Sequence, residues 1–359
     1  MKNTLLAASV LTVAAAAQAQ SSVTLYGRVE TGIEYMTGIQ NPSGTGSESR
    51  FRVTPGDLAL SMIGLKGSED LGGGFKTQFR LEGEFNSNDG TLDSSGSLFN
   101  TWAEVGISHD TYGTILLGRQ NFIPNNVWDF DPMGQSNWSS ASLVRGRNWP
   151  YSSNNISYQS ATWHGFDVYG QYSLSNATNW NGNGTTPQGR QDGIQLTYTS
   201  ALFQVRGLYD EIRDKDGRLS DVYAASREYF GGVNIFLDPV KLQLVYQGSE
   251  APDALPGAPT RTQQEWGGAT WQINPAVAVI GAVYHVNANH GGGSATLYAI
   301  GGTYNLSKRT LIALEAASVR NSKNADFGLN ANYPVTNSTD NPPPGHSQSG
   351  VFVDLQHSF

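Results

Sequence analysis

The sequence predicts an all-β fold, a 16-stranded antiparallel transmembrane β-barrel. Three observations predict it. The chain opens on an export signal. Beyond residue 19 its dominant hydrophobic period is two, and the alternation continues to the terminal Phe359. Short and long connections then alternate along the chain, as they do in a closed meander whose two ends face different compartments.

The export signal reads in order from Lys2, a short positive region, through the apolar run 5–17 to Ala17-Gln18-Ala19, a small-x-small cleavage site. The run is too short for a spanning helix, which needs about 20 apolar residues. The expected division is therefore a signal peptide at 1–19 and a barrel at 20–359, placed in the outer membrane of a Gram-negative cell. Strand character is plain where faces separate. Phe75, Thr77, Phe79, Leu81, Gly83 and Phe85 alternate with Lys76, Gln78, Arg80, Glu82 and Glu84. Val240, Leu242, Leu244 and Tyr246 alternate with Lys241, Gln243, Val245 and Gln247. Short turns are expected at 69–74, 110–113, 161–165, 200–201, 238–239, 274–276 and 305–308. Long loops are expected near 37–56, 87–98, 121–153, 175–190, 212–222, 250–262, 287–294 and 322–348. These connections join sixteen strands. A barrel of that width cannot fill its interior with side chains, so the polar face lines water and the apolar face meets lipid.

Composition narrows the function classes. The chain has no cysteine, which excludes disulfides and thiolate chemistry, and only 14% of it is charged, against about 25% in soluble domains. Removing Lys2 takes the 22 basic residues to 21 against 30 acidic ones, a net charge of −9, which argues against a nucleic-acid partner. None of the six histidines stands in a His-x-Glu or His-x-x-x-His pattern, so no metal centre is expected. No Ser, His and Asp constellation is distinguished, and neither catalysis nor a cofactor is expected.

Several motifs carry a family resemblance over nearly the whole mature chain. They are Ser22-Val23-Thr24-Leu25-Tyr26-Gly27, the glycine-rich turn Gly64-Leu65-Lys66-Gly67-Ser68-Glu69-Asp70-Leu71-Gly72-Gly73-Gly74, and Tyr112-Gly113-Thr114-Ile115-Leu116-Leu117-Gly118-Arg119-Gln120. Asp131-Pro132-Met133-Gly134 and the terminal Leu355-Gln356-His357-Ser358-Phe359 complete the set. In these the chain resembles the Gram-negative general porins, in the branch typical of β-proteobacteria. The resemblance implies a homotrimer, a third loop folded into the lumen, and passive diffusion of small hydrophilic solutes. It also implies contact with outer-membrane lipids and lipopolysaccharide, and an aromatic end, Phe359, read by the barrel-assembly machinery.

The chain departs from the family at two positions of the basic cluster that lines the constriction. Met62 and Trp102 stand where arginine is usual, and alternation turns both toward the lumen. Arg119 matches a third wall arginine; simple parity would turn it to lipid, and a bulge at Gly118 would turn it inward. The constriction is expected to hold Met62, Lys66, Lys76, Arg80, Glu82, Trp102, Glu104, Arg119, Asp129, Asp131, Arg145 and Arg147. Fewer arginines beside Glu104, Asp129 and Asp131 predict a weakly selective or mildly cation-preferring pore. The alternative is a substrate-specific channel on the same fold, with Trp102 as an aromatic contact.

Overall fold

The computed structural model describes residues 22–44, 46–94, 96–173, 189–330 and 340–359; the expected signal peptide lies outside them. Strands dominate. The first half of the chain supplies β1 (Ser22–Gln40), β2 (Ser47–Thr54), β3 (Ser61–Gly72), β4 (Phe75–Phe85), β5 (Trp102–His109), β6 (Gly113–Asn121), β7 (Tyr151–Gln159) and β8 (Phe166–Ser173). The second supplies β9 (Gln191–Thr199), β10 (Phe203–Ile212), β11 (Arg227–Leu237), β12 (Val240–Glu250), β13 (Arg261–Asn274), β14 (Val277–Ala288), β15 (Gly293–Asn305), β16 (Thr310–Asn321) and β17 (Gln348–Ser358).

Seventeen segments make sixteen staves because β2 and β3 lie end to end. Both pair with β1, β2 along Gly32–Gln40 and β3 along Ser22–Arg28. Between them Pro55, which has no N–H to give a ladder, breaks the stave. This corrects the loop expected at 37–56. Its polar residues belong largely to strands: Arg50 and Arg52 turn inward to the buried Glu34, while Phe51 and Val53 are exposed outside. The sheet closes between β1 and β17, with Thr31 opposite Leu355. Gly27 and Phe359 seal the seam by exchanging backbone hydrogen bonds of 3.2 and 3.0 Å.

The two faces invert the pattern of a soluble protein. Val23, Leu25, Leu196, Leu244 and Ile300 are exposed on the outside, and Gln171, Gln195, Gln243, Gln247 and Asn234 are buried toward the interior. That arrangement suits lipid outside and polar matter within. Part of the interior is taken up by the segment between β6 and β7.

This third loop folds inward. It opens with a 3₁₀ helix, Ile123–Phe130, whose Ile123, Pro124, Val127 and Phe130 are buried. A one-turn helix, Ser140–Leu143, follows, with the Ser139 hydroxyl accepting from the Ala141 N–H at its start. The loop is fastened to the inner wall from β9 to β17. Asn126 reaches Gln195 at 3.1 Å, the Trp266 indole donates to the Phe130 carbonyl at 2.9 Å, and Tyr284 donates to Asp131 at 2.6 Å. Ser136 reaches Glu315 at 3.0 Å and Trp138 reaches Asn330 at 2.7 Å. Phe130 of the loop meets Phe230 edge-on, and Trp266 and Tyr284 follow in tilted contact, with successive centroids 5.7, 6.1 and 6.2 Å apart. Each such pair is worth about 0.5–1.5 kcal/mol beyond its buried area.

Candidate functional site

The strand register gathers charged and aromatic side chains on the inner face of β1 and β3–β6, away from the wall that holds the third loop. Met62 stands directly opposite Arg28, Gly64 opposite Tyr26 and Glu82, and Lys66 opposite Arg80. Arg80 faces Glu104 across the next strand pair, and Glu82 faces Trp102.

Contacts tie these into an alternating ladder of cations and rings. The Lys66 ammonium lies 4.8 Å from the centre of the Tyr26 ring. Arg80 donates to the Tyr26 hydroxyl at 2.9 Å and to Glu82 at 2.6 Å, and its guanidinium covers the Trp102 ring at 4.1 Å. Glu82 also accepts from the Tyr26 hydroxyl at 2.8 Å and from Thr101 at 3.2 Å. An arginine held on an indole in this way keeps its charge and loses most of its freedom to swing. The indole face of Trp102 is thereby occupied from within the wall.

Arg119 owes its position to the backbone. The register between β6 and β7 shifts between Gly118 and Gln120, and Gly118 has a φ of +129°. The bulge brings the guanidinium 5.4 Å from the ring of Tyr151, whose hydroxyl donates to Glu84 at 2.8 Å. Arg119 also donates to the Asn100 carbonyl at 2.6 Å and to Ser153 at 2.7 Å. A side chain at position 118 would meet the Ala103 carbonyl at 2.1 Å and take up a strained φ. Gly118→Val is therefore expected to cost about 1–3 kcal/mol. It should flatten the bulge, read as a lowered melting temperature together with altered open-channel current.

The remaining expected residues are dispersed. Lys76 sits beside the short turn, 3.7 Å from Asp110, at one end of the barrel. Asp129, on the loop, is paired with Arg206 of β10 at 2.8 Å. Lys241 of β12 lies close enough to act on the same carboxylate. Asp131 does not reach open space: it is 3% exposed and accepts from Tyr284, Met133 and Ser140. Burial raises its carboxyl above the ordinary value against the pull of those donors. Arg147 is 1% exposed and paired with Asp210 at 2.5 Å. Arg145 pairs with Asp326 and lies against the rings of Tyr223 and Phe327. Asp131 and Arg147 are thus buried where they fasten the third loop to the wall, and Arg145, partly exposed, ties it to Asp326 beyond β16.

Sequence reasoning missed four residues. Arg28 was legible, since it alternates with Leu25, Gly27 and Val29; Arg206 was legible beside Val205. Lys241 was read on the polar face and left unused. Trp128 was not legible. It is 58% exposed on the helix whose other side is buried, and only the placement of the loop reveals that.

Comparison with known proteins agrees with this architecture. Residues 5–324 match the family model described as Gram-negative porin. An outer membrane porin protein of Bordetella pertussis is 31% identical over 355 residues, covering 86% of this chain and 92% of the relative. Outer membrane porin protein 32 of Delftia acidovorans is 29% identical over 382 residues, covering all of both chains. Among solved structures, an anion-selective porin from Comamonas acidovorans superposes with a TM-score of 0.77 at 24% identity, over 95% of this chain and all of the other.

Proposed function

The chain belongs to the Gram-negative porin family, a family of outer-membrane channels rather than enzymes, and from that premise we propose a water-filled pore for passive diffusion of ions and small hydrophilic solutes, weakly selective with a lean toward anions. The observation that carries the lean is the charge on the inner wall. Arg28, Lys66, Arg80 and Arg119 stand there against Glu82, Glu84 and Glu104. The third loop adds little unmatched negative charge, since Asp129, though its side chain is partly exposed, is paired with Arg206 and Asp131 is buried.

The cation-leaning expectation counted two missing arginines at Met62 and Trp102. Arginine stands on the adjoining strand beside each of them. Arg28 is the direct cross-strand partner of Met62, and Arg80 lies on the Trp102 ring. Fixed charges in a low-dielectric channel act over several ångströms, so a one-strand relocation keeps most of their field.

A homotrimer and recognition of Phe359 by the assembly machinery complete the reading. Liposome swelling tests it: neutral sugars should enter at rates that fall smoothly with size. A single sugar or aromatic solute that saturates at low concentration would favour the substrate-specific alternative, with Trp128 as the open ring.

A further inference from the structure

Along the inner wall, cations and rings cover one another. Lys66 lies against Tyr26, Arg80 on Trp102, Arg119 near Tyr151 and Arg206 against Phe130. Trp138 and Trp266 are buried about the third loop. Trp128 stands apart. It is 58% exposed, and no described residue stacks on its ring or accepts from its indole N–H. Its direction follows from the 3₁₀ helix that carries it. Ile123, Pro124, Val127 and Phe130 are buried on the wall side, and Asn126 and Asp129 are tied to Gln195 and Arg206. The side that remains, and the ring on it, face the open lumen.

Lys241 is the cation nearest in the fold. The Asp129 carbonyl accepts from Gln243 of β12 at 3.0 Å and from Asn234 of β11 at 3.1 Å. Lys241 is the next inward residue along β12 from Gln243, about 7 Å away. Its cross-strand neighbours, Phe236 and Thr270, are uncharged. It acts on Asp129 and Asp131 through space, but among the described residues it forms no ion pair. Asp129, partly exposed, is paired with Arg206, and Asp131 is enclosed by Tyr284 and backbone N–H groups. A bare ring and an unpaired ammonium therefore stand near each other on one side of the lumen.

The occupant follows from what the neighbourhood still offers. A sugar needs free hydrogen-bonding groups around the ring, and the amides here are engaged: Asn125, Asn126, Asn234 and Gln243 all donate to protein oxygens. An aromatic cation would gain from the indole and be repelled by Lys241 and Arg206. An aromatic anion gains twice, by ring contact with the indole and by a charge-assisted hydrogen bond to the ammonium. We propose that the narrowed lumen holds small aryl carboxylates weakly in passing, with the ring on Trp128 and the carboxylate on Lys241. The inference rests on the diffusive pore proposed above and adds a brief residence for one class of solute.

The test is the KCl current through the protein in a planar bilayer, with benzoate, cyclohexanecarboxylate or benzylammonium added. Benzoate should reduce the current saturably, at a concentration about fivefold below that needed for cyclohexanecarboxylate, which has the charge without the flat ring. Benzylammonium, which has the ring and the opposite charge, should not block in that range. Trp128→Ala and Lys241→Gln should each raise the half-blocking benzoate concentration about fivefold. Neither side chain takes part in the hydrogen bonds that hold the loop, and the KCl current of each variant reports that it has folded. Equal block by the two acids, block by benzylammonium at the benzoate concentration, or wild-type block in either variant overturns the proposal and leaves the passive pore standing. A wild type that passes no KCl current overturns the pore reading and this inference with it.

Discussion

In a planar bilayer under a KCl gradient, the Arg28→Ala, Arg80→Ala double variant is expected to carry a reversal potential shifted toward cations relative to wild type. A unit charge about 6 Å from a passing ion in a water-like medium is worth ~0.7 kcal/mol, or about threefold in local ion concentration. Two such charges change the local concentration of either ion by roughly tenfold in that medium, and raising the salt lowers the effect by screening. The expectation rests on the ladder. Arg80 is fixed by Tyr26, Glu82 and Trp102, and Arg28 by its 2.7 Å bond to the Leu60 carbonyl. Trp102→Ala should shift selectivity less than Arg80→Ala, because it frees the guanidinium without removing its charge. An unchanged reversal potential in the double variant would move control to Lys66 and Arg119, and a cation-preferring wild type would restore the reading made from Met62 and Trp102.

Trp138→Ala is expected to loosen the third loop while the barrel stays closed. Trp138 has no exposed surface, donates to Asn330 at 2.7 Å, and stands edge-on to Phe352 with centroids 5.0 Å apart. Its ring also lies over Gly350, where a side chain would meet it at 2.6 Å. Truncating a buried tryptophan costs about 3–5 kcal/mol. The strand ladder does not depend on the residue, so the loss falls on the attachment of the loop. Single-channel records should show larger, noisier openings, and the folded barrel should survive at ordinary temperature. Quiet channels of wild-type size would place the holding force instead at Trp266 and Tyr284, on the opposite side of the loop.

The sequence by itself determined the barrel. Alternation is a local property: every second side chain meets the same medium, so strand identity and outward face can be read residue by residue. The seven short connections were legible for the same reason, since two-residue and glycine turns carry their own chemistry. Arg28 and Arg206 obeyed the same parity and could have been read. The fate of the charges was decided only by the tertiary structure. Asp129 and Asp131 are two residues apart, yet one reaches Arg206 and the other is enclosed by Tyr284 and backbone donors. Arg147 meets Asp210 across 63 positions of sequence. The polar run at 37–56 was a strand because Glu34 awaited its arginines. Such pairings depend on which strands neighbour one another and where the third loop comes to rest. Those are long-range facts with no local period, and they determine which charges remain for a passing ion to meet.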